Sequence, residues 1–347
     1  MCRFHVLPLA IALVSAGCGP PPAATGLRGA ASTEAPLLAP ASAVRDGADS
    51  VTVLRSGEPT FGELYRLIEN ARTSVEVEVY EFGRADLAAA LIGAHRRGVA
   101  TTVIDDPSES ATAATSLGLR ADGSDVADYP IRARMIDHVK LLVVDATVAV
   151  VGGINWGAGS AANHDFDFEV RGPAVDNLGR IFTRDLVTCG RVEVVPPARP
   201  DTAVLVGATL PGAEILPMVL ALIAGSRGSL DVAMFTLTDA AAVNAMEAAH
   251  ARGVVVRVLL DPSQRASDPS AASLRAHGVP VRLYRSSGEK LHAKAAIADR
   301  ASVVVGSANW TVSGFEHNHE LNVTIPDDTA IATAFEQQFE SDWSASA

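Results

Sequence analysis

Lysine is nearly absent from this chain. Only three occur in 347 residues, Lys140, Lys290 and Lys294, and every other basic residue is arginine. Basic charge is scarce altogether: 40 acidic residues against 28 basic ones give a formal net charge of −12. That argues against the broad basic surface on which non-specific nucleic-acid binding depends, while leaving room for a local basic pocket. Cysteine is equally sparse, with Cys2, Cys18 and Cys189 alone. The N-terminal apolar run, Val6 to Val14, is too short for a permanent membrane helix. What is abundant is ordinary globular material, 48% hydrophobic and 20% charged, in a length that accommodates two domains.

The first residues, "MCRFHVLPLAIALVSAGC", place one arginine before the apolar run and small residues before Cys18. This resembles a bacterial lipoprotein signal, in which the peptide is cut before the cysteine and that cysteine is lipidated. Ser15 departs from the pattern, which prefers leucine there, so an export signal with an incidental cysteine is the alternative. Either way the chain is expected to be exported, and the resemblance implies a lipid-anchored protein of the periplasm or cell envelope. Residues 19–50, rich in Pro, Ala, Gly and Ser, read as a flexible linker. With Cys2 in the signal and Cys18 lipidated, Cys189 has no partner for an intramolecular disulfide.

The rest is a duplication. "TSVEVEVYEF" (73–82) matches "GSLDVAMFTL" (228–237), and "GAHRRGVATTVIDDPS" (93–108) matches "AAHARGVVVRVLLDPS" (248–263), both at an offset of 155 residues. Each half reads helix, strand, helix, strand, loop and hairpin, which predicts an α/β layered domain. Asp239 is a candidate N-cap, and Gly253 follows the end of that helix. The first domain is expected over 51–198 and the second over 203–347, with the Pro-rich stretch near 195–203 between them. Residues 105–130, dense in acids, read as a solvated loop near a cleft mouth. They lack the ordered spacing of a calcium loop.

Two of the three lysines occupy one place in a repeated motif. His138, Lys140 and Asp145 recur as His292, Lys294 and Asp299, followed by Gly152-Gly153-Ile154-Asn155 and Gly306-Ser307-Ala308-Asn309. Read as a hairpin, each copy puts its histidine and lysine on one strand face and returns the asparagine beside the histidine. Asp145 and Asp299 fall at the turn, too far along the strand for catalysis, and are expected to be structural. The glycines would let backbone approach a ligand. An imidazole, an ammonium and an amide on one face suit an anionic oxygen such as that of a phosphodiester. Downstream, "NHDFDFEV" aligns with "NHELNVTI" and sets Asp165 opposite Glu320. A carboxylate on one imidazole nitrogen fixes the tautomer and frees the other nitrogen.

These motifs resemble the phospholipase D superfamily over residues 51–347. The resemblance implies duplicated α/β/α halves about a pseudo-twofold axis, with one active site between them. It implies a metal-independent, two-step displacement without cofactor, in which one histidine forms a phosphohistidine and the other protonates the leaving alcohol. Carried onto this chain, His138 is the nucleophile and His292 the general acid/base. Lys140, Lys294, Asn155 and Asn309 hold the phosphoryl oxygens. Asp165 would serve His292, and Glu320 would serve His138.

Other matched residues read as structural. His95 and His250 sit at helix ends, and Trp156 and Trp310 suit core packing. His164 and His319 adjoin the supporting acids and either touch substrate or pack behind the site. His277 and His317 have no counterpart. The resulting expectation is a phospholipid phosphodiesterase, hydrolysing or transferring phosphatidyl groups at a membrane, for which a monomer suffices. The alternatives are a superfamily nuclease, which the net charge disfavours, and a non-catalytic binding module, which two intact motifs disfavour.

Overall fold

The computed structural model describes residues 42–44, 49–286 and 288–346. The expected signal over residues 1–18, Cys18 and most of the expected linker lie outside the described residues. The linker ends earlier than Ser50. Strand β1 (Ser42–Val44) pairs antiparallel with β2 (Ser50–Leu54). Asp49 is buried, and its carboxylate accepts from the backbone N–H groups of Ala174, Ala203 and Val204.

The first half continues with α1 (Glu58–Asn70), β3 (Ser74–Val79), α2 (Ala85–Arg96), β4 (Ala100–Asp105), α3 (Ser110–Asp122) and β5 (Asp125–Asp128). The hairpin β6 (Lys140–Val144) and β7 (Val148–Gly152) follows, then β8 (Asn163–His164), β9 (Asp167–Arg171) and α4 (Ala174–Thr188). The second half repeats the plan with β10 (Leu205–Ala208), α5 (Ile215–Gly225), β11 (Ser229–Met234), α6 (Ala240–Ala251), β12 (Val255–Leu260), α7 (Asp268–Ala276) and β13 (Val281–Leu283). It closes with β14 (Lys290–Leu291), β15 (Lys294–Ala298), β16 (Ser302–Gly306), β17 (Leu321–Ile325) and α8 (Thr329–Ala345).

The two large sheets share one strand order apart from the extra edge strand β1. It is β1-β2-β9-β7-β6-β3-β4-β5 in the first and β10-β17-β16-β15-β11-β12-β13 in the second. β3, β4 and β5 run parallel, as strands joined by crossover helices do. The motif strand runs antiparallel to its central neighbour, pairing Val79 with Lys140 and Met234 with Lys294. Thus the motif lysines sit at the ends of β6 and β15 that adjoin the C-terminal ends of β3 and β11. β6 and β15 are buried along their whole length, which their apolar sequences permit.

Helices α1 and α2 pack on the outer face of the first sheet, and α5, α6 and α7 on that of the second. The inner faces share one core with α4 and α8, built on Leu178, Phe182, Ile331, Phe335 and Phe339. α4 also touches β10, and α8 also touches β2, so each inner helix binds both halves. Trp156 and Trp310 lie in the outer cores.

Residues 105–130 are not a loop. They hold the end of β4, all of α3, and β5. The Glu109 side chain caps α3 by accepting from Thr112 N at 2.8 Å, and Gly123 ends it at φ 97°. The inward face of α3 is Thr112, Ser116 and Leu119, so apolar periodicity was too weak to reveal it. The N-cap expected at Asp239 is present, its side chain accepting from Ala242 N at 2.9 Å.

Candidate active site

Each motif hairpin turns through two residues of positive φ, Asp145-Ala146 and Asp299-Arg300. Their carboxylates make this tolerable. Asp145 accepts from the backbone N–H groups of Arg72, Thr73 and Ser74, and Asp299 from those of Arg227, Gly228 and Ser229. These bonds hold both carboxyls below their ordinary pKa, against a partly opposing effect of burial. The motif aspartates therefore tie the hairpins to β3 and β11, far from the histidines.

The histidines lie just beyond the strand ends, and each is held by the other half. His138 N donates to the His319 carbonyl at 2.7 Å, and His292 N to the His164 carbonyl at 2.8 Å. The side chains cross over in the same way. His138 Nδ1 meets Glu320 Oε2 at 2.8 Å, while His292 Nδ1 meets the Asp165 oxygens at 3.0 and 3.1 Å. Asp165 and Glu320 are fully buried, and only 6% of His138 and 4% of His292 is exposed. His138 Nε2 has no hydrogen-bond partner among the described residues, whereas His292 Nε2 faces Lys294 Nζ at 3.0 Å.

Lys140 Nζ donates to the His138 carbonyl at 2.6 Å, and Lys294 Nζ likewise to that of His292. Burial pushes Lys140 down to about 7 and Lys294 to about 8, offset by Glu320 and Asp165. Burial also depresses both histidines, His292 to about 3, with the Lys294 charge acting in the same direction. Asp165 falls to about 2 because the His292 and Lys294 beside it outweigh its burial. Lys294 depresses His138 and Lys140 depresses His292, as expected of charges sharing one site. Asn155 and Asn309 each present a buried Oδ1 without a hydrogen bond among the described residues. The structure therefore gathers His138, Lys140, Asp165, His292, Lys294 and Glu320, sets Asn155 and Asn309 three residues beyond β7 and β16, and leaves Asp145 and Asp299 at the hairpin turns.

Some neighbours were not singled out from sequence. Tyr80 and Phe235 directly follow β3 and β11 at matched positions, and their rings lie 5.1 Å from that of His138 and 4.8 Å from that of His292. Ser307 Oγ donates to Glu320 Oε2 at 2.6 Å, and Asn318 Nδ2 to Oε1 at 3.1 Å. The difference between Gly-Gly and Gly-Ser in the two motifs was the available signal for Ser307. The glycines serve packing, not ligand approach. A Cβ at Gly152 would strike Asp167, one at Gly153 would strike Asp165, and one at Gly306 would strike Leu321 O and Asn322.

Asp167 is buried behind this layer and accepts from Ile154 N at 3.0 Å. Its counterpart Asn322 accepts from Ala308 N at 3.2 Å. Burial, followed by the nearby Asp165 charge, pushes Asp167 up to about 8, so at neutral pH it stands in for an amide. His95 and His250 pack at the helix ends against Gly123 and Gly278. His164 hydrogen-bonds Asp342, His277 bonds the Ser273 carbonyl, and His317 lines a cavity beside α4.

Two α/β halves that lend each other a carboxylate, around paired histidines and lysines, define a duplicated phospholipase D-like fold. The chain belongs to the family described as "Cardiolipin synthase, PLD-like domain", whose model matches residues 64–186 and 219–343. It is 40% identical over 120 residues to the mitochondrial cardiolipin hydrolase of Xenopus laevis, covering 34% of this chain. That match spans 56% of the frog protein, little more than half its length. Cardiolipin synthase A of Pseudomonas putida is 27% identical over 314 residues, covering 80% of this chain and 65% of that one. The phosphatidylserine synthase structure from Haemophilus influenzae shares the fold at a TM-score of 0.66 and 13% identity, covering 84% of this chain and 85% of that one.

Proposed function

We propose that this protein is a phospholipid phosphodiesterase that hydrolyses or transfers phosphatidyl groups through a phosphohistidine. The observation that carries this is the reciprocal pairing of His138 with Glu320 and of His292 with Asp165 around two buried lysines. Glu320 holds the His138 proton on Nδ1, leaving Nε2 free to attack phosphorus. As the N–P bond forms, the P–O bond to the leaving alcohol breaks, and that oxygen takes a proton from the His292 imidazolium. Water or a second alcohol then gives its proton to His292 and attacks phosphorus, and the N–P bond breaks. The substrate anion favours the imidazolium that burial disfavours in the free protein.

Lys140, Lys294, Asn155 and Asn309 supply the donors for the phosphoryl oxygens, so the displacement itself calls on no metal. The names of the relatives point to cardiolipin as substrate or product. We place the protein at a membrane, tethered through Cys18. This rests on the sequence of residues 1–18 alone. None of the described helices is long and apolar enough to cross a membrane.

The test is turnover of cardiolipin, phosphatidylglycerol and plasmid DNA in parallel without added metal, with His138→Ala and His292→Ala as controls. Lipid turnover lost in both variants is expected. DNA cleavage without lipid turnover would replace this reading with a nuclease.

A further inference from the structure

Asp137 and His319 are the chain neighbours of His138 and Glu320, and they point away from the reacting groups as alternate residues of extended chain do. They meet Glu78 from β3 and Asp185 from α4. Asp185 is 1% exposed and the other three 0%. His319 Nε2 lies 2.9 Å from Asp185 Oδ2 and 3.5 Å from Glu78 Oε1. Yet none of these contacts has hydrogen-bond alignment. Among the described residues, both Glu78 oxygens, Oδ2 of Asp185, Oδ2 of Asp137 and both His319 ring nitrogens lack a hydrogen-bond partner. The ring is fixed by stacking on Tyr129, with centroids 4.9 Å apart.

The other half shows what such a pair looks like when it is self-sufficient. There His164 Nε2 makes an aligned hydrogen bond to Asp342 Oδ2 at 2.8 Å, and its ring stacks on Tyr284. At the positions of Glu78 and Asp137 that half has Ala233 and Leu291. Folding of the repeat therefore does not require the two extra carboxylates. Burying them as unpaired carboxylates is costly unless they take up protons or a cation compensates.

We propose that Glu78, Asp185 and His319 bind one divalent transition-metal ion of the zinc or manganese class, with Asp137 beside it. One donor atom from each of the three lies within 4.8 Å of the others. Two carboxylate oxygens and an imidazole nitrogen suit such ions. Ligands bound at about 2.0–2.2 Å stand roughly 3.3–3.6 Å apart around a tetrahedral ion; His319 and Glu78 are at 3.5 Å, and the 2.9 Å between His319 and Asp185 would have to open slightly to admit it. Arg184 reaches Asp185 on its other oxygen, Oδ1, at 3.5 Å, leaving Oδ2 for the ion. A cavity of about 610 Å³ lined by Tyr129, Arg184 and Asp185 gives it a way in.

The ion would join first-half ligands to a second-half histidine whose carbonyl holds His138 N. It positions the segment carrying Glu320 and takes no part in the displacement. Metal content and thermal stability read it without substrate, so its failure is separable from failure of the phosphodiesterase reading.

The experiment strips the full chain with chelator, titrates it with Zn²⁺ or Mn²⁺, and measures retained metal and Tm. About one ion per chain is expected, with Tm rising by roughly 5–10 °C at a hundredfold excess over Kd. Glu78→Ala, which imports the second-half residue, and His319→Gln should lose both effects, while Glu289→Gln near His164 keeps them. Should His319→Gln not fold, Glu78→Ala decides alone. Wild-type protein that retains no ion, or Glu78→Ala that retains it equally, would overturn the proposal.

Discussion

Nδ1 of His138 meets the Glu320 carboxylate at 2.8 Å although 182 residues separate them in the chain. The mirrored contact, His292 to Asp165, spans 127 residues. Each half thus carries the histidine of one pair and the acid of the other, and neither half holds a complete site.

Glu320→Gln and Asp165→Asn should each lower kcat by about 10²–10⁴, because an amide no longer enforces the tautomer or stabilises the imidazolium. KM should change little, which steady-state kinetics on both variants would show. Full activity in either one would dissociate that acid from its histidine.

Lys140 and Lys294 trade stability for function. Their pKa values fall from 10.5 to about 7 and about 8, so the folded state resists the charged forms. The unfolded chain binds more protons from pH 7 or 8 up to about 10.5, and the stability penalty is therefore full at neutral pH and lifts as pH rises. Lys294→Met should raise Tm, by about 2–4 °C for each kcal/mol recovered, while abolishing most turnover. In the wild type, kcat/KM should decline above pH 7–8 as the free protein loses these ammonium charges.

Asp167 should be replaceable by the residue its counterpart already is. Its folded pKa of about 8 lies above the ordinary 3.8. Its contribution to stability is present below about pH 4 and lost as pH rises through 8. Asp167→Asn should flatten that decline and leave the variant more stable than wild type at pH 8. Thermal melts at pH 5 and pH 8 would show it, and parallel pH profiles for the two proteins would contradict it.

The turn aspartates should matter to folding alone. Asp145→Ala and Asp299→Ala each remove a carboxylate that accepts three backbone N–H groups, at a cost of about 1–2 kcal/mol, lower for the more exposed Asp299. Their lowered pKa values make this stability present above about pH 4 and lost as pH falls through the folded values. Denaturant melts should report the loss, with activity per folded molecule unchanged.

The motif hairpins were legible from local geometry, although His138 and His292 fall just outside β6 and β15 rather than on the strand face with Lys140 and Lys294. The duplicated halves were legible because matched helices and strands recur at one offset. What lay beyond reach depends on contacts between halves. Glu78 and His319 meet across 241 positions of sequence, and nothing in either local segment announces the other. Helix α3 was hidden for a different reason: its buried face is Thr112, Ser116 and a single leucine, Leu119, a composition close to that of a loop. The glycines were misread as openings for ligand because the strand that crowds them arrives from further along the chain.

The deciding measurement is rapid-quench peptide mapping of the protein during turnover of labelled phosphatidylglycerol, for wild type, His138→Ala and His292→Ala. A phosphatidyl adduct on His138 is expected, accumulating in His292→Ala and absent from His138→Ala. Turnover that persists in His138→Ala, or proceeds with no adduct on either histidine, would contradict a shared two-histidine site.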